Sequence, residues 1–335
     1  MSTTSNTDTA DTAGAAAAGE APVQLNRPRP VPKPGTWISA AVVIVLGAMF
    51  VHALVTNEKF HWDTVWFFFR EVRVVRAVGW TLLLTFLAMA IGIVLAVTTA
   101  IMRQSSNPIL RWVALGYLWF FRGTPIYTQL VFWGALASLY QYLSLGVPFG
   151  PELLTFPTRS VFTPFVAAVL GLGINEGAYL SEIVRSGLAS VDPGQTEAAG
   201  ALGMSRGQIM RRIVLPQAMR VIVPPTGNET ISMLKTTSLV TAVPFTLELT
   251  KVATDYGSQT LLPIPFLVVA GIWYLVITSI LMFFQSKLEA YYGRSDSQAP
   301  DRLSRRGRRR QRTSRQAAIN AARTTPDAAP NEWVG

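Results

Sequence analysis

Cysteine is absent from the chain, and histidine occurs only as His52 and His61. Without thiols there are no disulfides, no thiolate nucleophile and no cysteine-held metal or iron–sulfur site. Two imidazoles leave little room for zinc chemistry. Charge is scarce too: Asp, Glu, Lys and Arg make up 14% of the 335 residues, against about 25% in an ordinary soluble domain. What fills the chain instead is apolar, 50% of it, with 9 Trp, 9 Tyr and 17 Phe and a mean hydropathy of +0.33. These numbers exclude a typical soluble enzyme and predict an all-α integral membrane protein. The charge that remains is lopsided, 29 Lys+Arg against 19 Asp+Glu.

A bilayer core of ~30 Å takes about 20 mostly apolar residues in a helix. Residues 36–55, 77–102, 125–143 and 263–286 supply such stretches without an Asp, Glu, Lys or Arg. Residues 161–181 and 221–245 are long enough but carry Glu176, and Glu229 with Lys235, respectively. Six spans are therefore expected. Residues 1–35, rich in Ala, Thr, Ser and Pro, and 293–335 have little to bury and read as disordered tails. The second contains eight Arg in the fourteen positions from Arg302 to Arg315, a run that suits a solvated or lipid-facing cytoplasmic tail. The basic residues near the start come late, at Arg27, Arg29 and Lys33, and the apolar run after them is of full membrane length, unlike a signal peptide. The Lys/Arg asymmetry across loops puts both termini in the cytoplasm. The stretch 63–76, aromatic with three Arg, fits that scheme poorly and is read as an interfacial amphipathic helix.

Two local signals concern chain geometry. In Arg122-Gly123-Thr124-Pro125, Thr124 can cap and Pro125 can open a helix. That makes 109–121 an amphipathic connector, with Arg122 at the cytoplasmic face. The loop 192–216 parses into two short capped helices. Asp192, Pro193 and Gln195 start the first, Gly203 ends it, Ser205 and Gln208 box the second, and Pro216 stops it. The first helix offers a small-residue surface, Ala198 to Ala201, suited to close approach by a partner groove.

Here the residues resemble a known family. Glu197-Ala198-Ala199, Gly203 six positions after the Glu, then Ile213, Leu215, Pro216, Gln217 and Ala218 resemble the EAA loop of ABC importer permeases. Arg122-Gly123-Thr124-Pro125, Asn175-Glu176-Gly177-Ala178-Tyr179 and Lys235-Thr236-Thr237-Ser238-Leu239 resemble motifs of its polar amino-acid branch. The resemblance covers roughly 80–292, and implies a five-helix permease domain over 77–292 with 36–55 as an additional N-terminal span. It implies that Glu197, Ala198, Ala199, Gly203, Ile213, Leu215 and Pro216 contact a separate ATPase subunit, which would bind ATP and Mg. None of the five Lys follows a Gly, so no phosphate loop of the G-x-x-x-x-G-K-[ST] type exists here. The expected role is a non-enzymatic transport subunit in the plasma membrane of a prokaryote. Its partners would be a second permease copy or paralogue, an extracytoplasmic amino-acid-binding protein and membrane lipid, with no specific nucleic acid. The segment 141–159 is longer than such a permease needs outside the membrane.

An ionisable group inside a bilayer is functional or paired by default. Asn175, Glu176, Asn228, Lys235 and Ser238 are the candidates for a translocation path. Glu229 and Lys235, six apart, are not a helical pair and need different partners. Glu176 and Lys235 are expected across one cavity, where they would hold a zwitterion; a buried interhelical ion pair is the alternative. Two other classes compete with the importer. A gradient-driven transporter would use Glu176, Glu229 and Lys235 as ion sites, yet no internal repeat of the kind such transporters show is visible. A membrane scaffold with a basic tail explains the arginine run and little else.

Overall fold

The computed structural model describes residues 34–147 and 150–293; the expected tails, including Arg302 to Arg315, lie outside the described residues. The chain divides after Asn57. The first unit holds α1 (Pro34–Thr56), apolar on all sides and long enough to cross a bilayer.

The second unit begins with a 3-10 turn and α2 (Trp62–Phe69), followed by α3 (Val72–Gln104), α4 (Pro108–Gly123) and α5 (Ile126–Leu139). A hairpin of β1 (Tyr142–Gly146) and β2 (Glu152–Pro157) leads through the single turn α6 (Thr158–Val161) to α7 (Pro164–Ala189). Next come α8 (Pro193–Ala201), α9 (Arg206–Ile209), α10 (Leu215–Thr236), a 3-10 turn over Thr237–Ala242, α11 (Leu249–Thr260) and α12 (Pro263–Gly293). The expected all-α membrane fold is what forms. The hairpin accounts for the long segment 141–159; it is antiparallel, with Ser144 opposite Thr155 and a bulge after Leu145.

Two side-chain clusters hold the bundle. One joins α3, α5 and α7 to the end of α10 through Leu84, Leu130, Leu172, Met233 and Phe245. The other joins α2, α11 and α12 to the start of α3 through Val74, Leu249 and Phe266. Glycines set the α3–α7 distance: a Cβ at Gly173 would sit 2.9 Å from Ile91 Cβ, and one at Gly177 2.7 Å from Leu95 Cβ. Small residues are how membrane helices approach closely where no hydrophobic effect drives them together.

Several expectations change. Helix α3 starts five residues before the expected 77, because Glu71 caps it, its Oε2 accepting from Arg73 N at 2.6 Å and Val74 N at 3.1 Å. Arg73 and Arg76 therefore belong to α3, and only α2 remains of the separate amphipathic helix. The third span is discontinuous. The 14 residues of α5 reach only ~21 Å at 1.5 Å per residue, so α4 completes the crossing rather than connecting spans. Pro125 stands just outside α5 as its N-cap, while Thr124 turns its hydroxyl back to Phe120 O at 2.8 Å. Arg122 accordingly lies beside Tyr179, midway along α7, its guanidinium 5.5 Å from the ring centroid.

Pro216 does not stop a helix. The chain stays helical through a π turn over Met210–Val214, and Pro216 follows inside the same continuous helix, the widened turn accommodating the N–H that proline lacks. Asp192 caps α8 through Gly194 N at 2.8 Å instead of boxing with Gln195. The Ser205–Gln208 box forms, with bonds of 2.9 and 3.4 Å.

Candidate functional site

The break between α4 and α5 lies against the middle of α7. Breaking a helix frees carbonyl and N–H groups that lipid cannot satisfy, and here two amides meet the need. Gln129 Nε2 donates to Phe121 O (3.1 Å), Thr124 O (3.1 Å) and Thr124 Oγ1 (2.8 Å). Asn175 Nδ2 donates to Phe121 O (2.9 Å) and Gln129 Oε1 (3.1 Å). Tyr117 adds a bond to Ile174 O at 2.6 Å. Both amides are buried, so the junction is rigid and polar inside an apolar bundle.

A cavity of about 420 Å³ opens beside this junction. The break contributes Arg122 to Ile126, α7 contributes Asn175, Glu176 and Tyr179, and α10 contributes Glu229, Ser232 and Thr236. Glu176 is 6% exposed, and its Oε1 is buried without a hydrogen-bond partner. An ionised oxygen left so is costly. Gly92 makes room for the stem of this side chain; a Cβ there would come within 3.1 Å of Glu176 Cγ. The first N–H groups of α5 have no carbonyl in their own helix, and Pro125 and Ile126 line the same cavity. Two carboxylates, one guanidinium and a helix N-terminus thus share one space.

Lys235 does not. Residues 229, 232 and 236 recur at helical spacing on the face of α10 toward the break, whereas Asn228 and Lys235, seven apart, turn toward α12. There they line a second cavity of about 340 Å³ with Gln285 and Glu289. Asn228 Nδ2 bonds Glu289 Oε1 at 3.4 Å. Ser238 donates to Lys235 O at 2.7 Å and lines neither cavity. The expected Glu176–Lys235 pairing is therefore replaced by Glu176 with Glu229. The rotation of α10 decides this, and spacing alone did not reveal which charge faces α7. Gln129 also escaped the sequence reading; its signal was an amide one turn after a Thr-Pro pair in an apolar helix.

The loop after α7 forms a second site. Gly203 adopts φ +79° and closes α8. Ala199, Ile209 and Val214 form a small core with Leu188, Val191, Met204 and Ile213. Of the residues expected at the surface, Glu197, Ala198, Gly203, Leu215 and Pro216 are exposed, while Ala199 is buried and Ile213 half-buried. Leu202, absent from the expected set, is by contrast 83% exposed on the tip of the hairpin. An exposed leucine on a rigid corner suits docking by a partner.

The model of the family "binding-protein-dependent transport system inner membrane component" matches residues 88–291. The arginine transport system permease ArgU of Corynebacterium glutamicum is 48% identical over 280 residues, covering 83% of this chain and 86% of that protein. The L-cystine transport system permease TcyB of Bacillus subtilis is 34% identical over 239 residues, 71% of this chain and 93% of that one. Among solved structures, that of an amino acid ABC transporter with histidines aligns at a TM-score of 0.54 and 34% identity, covering 65% of this chain and 94% of that chain.

Proposed function

The chain belongs to the family of binding-protein-dependent transport system inner membrane components, and we propose that it passes a basic amino acid through the cavity at the α4–α5 break. It is a multi-pass membrane permease subunit of an ABC importer, a transport subunit rather than an enzyme. The observation that carries the substrate class is Glu176, a buried carboxylate with an unpartnered oxygen, sharing its cavity with Glu229. Two carboxylates against one lining guanidinium favour a ligand with a surplus of positive charge. The side-chain cation of the ligand would lie between Glu176 and Glu229. Its α-carboxylate would face Arg122 and the N-terminus of α5, as half-helix ends do toward anionic groups. The arginine named for one relative agrees with this reading, and the cystine named for another does not oppose a shared α-amino-acid frame.

The hairpin 192–216 is the coupling element. A separate ATPase, holding ATP and Mg, would receive Glu197, Ala198, Leu202 and Gly203 in a groove, with Leu215 and Pro216 at its edge. Ala199 and Ile213 keep the hairpin rigid from within. One chain presents one such hairpin, so a second permease copy or paralogue completes the machine, and closure of two ATPases would rock the helices around the cavity. The hairpin end and both termini would face the cytoplasm, and an amino-acid-binding protein would deliver ligand at the β1–β2 end.

Uptake of labelled arginine by cells lacking the chain, restored by wild type or by Glu176→Gln, tests the reading. Normal membrane levels of the variant with uptake lost supports it. Full uptake by a properly inserted variant would sink the assignment of the cavity.

A further inference from the structure

Away from the transport path, at the end of the bundle where α3 begins, a cavity of about 270 Å³ lies between α3 and α11. Arg73 and Arg76 line it from α3, and Asp255, Tyr256 and Gln259 from α11. Neither guanidinium has a side-chain hydrogen bond or ion pair among the described residues. The nearby acids are already engaged. Asp255 takes Lys251 Nζ at 2.5 Å, and Glu71 spends its carboxylate on the backbone N–H groups of Arg73 and Val74. Two uncompensated positive charges therefore share one concave site, and guanidinium forks match phosphate oxygens.

Its position says where the phosphate comes from. Arg76 stands at the head of an exposed apolar stripe on α3: Leu82, Leu83, Phe86, Ile93, Val97 and Ile101 recur at helical spacing. From Arg76 to Ile101 that stripe runs roughly 37 Å at 1.5 Å per residue, enough for a bilayer core of ~30 Å with some tilt. Just before it, α2 exposes Trp62, Trp66 and Phe67, the aromatic composition of a membrane–water boundary. Arg70 lies over the Trp66 ring at 4.2 Å, a cation held at that same level.

We infer that Arg73 and Arg76 bind the phosphate of an anionic phospholipid, whose acyl chains run down the exposed stripe of α3. The site would hold a structural lipid at the boundary, separate from the substrate cavity and independent of the transported ligand.

The test uses the full chain in lipid nanodiscs containing equal phosphatidylglycerol and phosphatidylcholine, re-extracted in mild detergent, with retained lipid counted by native mass spectrometry. Wild type should retain phosphatidylglycerol preferentially. Arg73→Gln and Arg76→Gln should each weaken that preference about fivefold, and the double variant should abolish it. Arg159→Gln, on α6 outside the cavity, should leave it intact. Arg73→Lys with Arg76→Lys keeps the charge, so partial retention there separates a charge effect from a folding defect. No preference in wild type, or an unchanged preference in the double glutamine variant, would overturn the inference. Displacement of the lipid by inorganic phosphate alone would reassign the site to a free anion. A double variant that keeps its lipid but loses stimulation by the binding protein would reassign it to an acidic protein surface.

Discussion

Two glutamates are buried in the bundle among the described residues, Glu176 in α7 and Glu248 at the start of α11, and their surroundings are opposite. Glu248 is fully buried and saturated. Its Oε2 accepts from Thr250 N at 2.8 Å and Lys251 N at 3.2 Å, capping α11, while its Oε1 accepts from Thr81 at 3.3 Å and from the Tyr274 hydroxyl. It ties α3, α11 and α12 together at one end. Glu176, mid-bundle, keeps an oxygen without any partner and faces a cavity with a second carboxylate. A carboxylate that has used its acceptors locally is part of the framework. One left unsatisfied beside a cavity implies a partner that arrives and leaves.

The largest expected effect breaks this contrast on the cavity side. Glu176→Gln should leave folding and membrane insertion intact, since no protein contact is lost at Oε1. Transport should fall by about 100-fold, the equivalent of losing a charge-assisted bond of roughly 3 kcal/mol. Initial uptake rates at matched membrane levels measure it. Glu229→Gln should act in the same direction more weakly, because Glu229 is less buried than Glu176.

Glu248→Ala should behave the other way round. It removes an N-cap, worth about 1 kcal/mol, and strands buried donors on Thr81 and Tyr274 at about 1–3 kcal/mol. Heating in detergent followed by size exclusion should show a clear loss of the folded species. Any transport by surviving molecules should keep wild-type substrate preference. A variant stable to heat but altered in preference would erase the distinction between the two glutamates.

Variants at the hairpin act between these extremes. Nothing lies within 4 Å of a Cβ placed on Gly203, so only its φ of +79° opposes a side chain. Gly203→Ala should therefore destabilise the corner by about 1 kcal/mol and weaken co-purification of the ATPase modestly. Gly203→Asp adds charge at the docking face and should weaken it further. Equal retention of the ATPase by wild type and both variants would remove the hairpin from the coupling role.

Much of this was legible in the chain, and the reason is locality. The Ser205–Gln208 box and the left-handed Gly203 are set within a few residues of sequence, and the structure keeps both. The paired requirement of Glu229 and Lys235 for separate partners was also visible from their spacing. Which of them faces α7 was not, because that depends on how α10 is rotated against helices far away in sequence. The broken third span hid for a similar reason. Thr124-Pro125 looks like any helix start, and one of the two amides that make the break tolerable in the membrane, Asn175, comes 54 residues after Phe121. Glu248 went unmarked because its value comes from Thr81, 167 residues away, and from Tyr274, on another helix.

The smallest effect sharpens the contrast from the framework side. Thr81 is fully buried and works in two directions, its hydroxyl donating to Glu248 Oε1 while accepting from Leu249 N at 3.2 Å. Thr81→Val keeps the shape and removes both bonds. Glu248 retains its backbone donors and Tyr274, so the loss is confined to Leu249 N and one weak acceptor contact, about 1 kcal/mol. Thr81→Ser restores the hydroxyl and should recover most of that loss, forfeiting only methyl packing. Both variants should transport with unchanged substrate preference, because nothing they touch lines the cavity at Glu176. Should Thr81→Val instead shift preference while Thr81→Ser does not, the Glu248 network would be part of the transport cycle rather than of the frame.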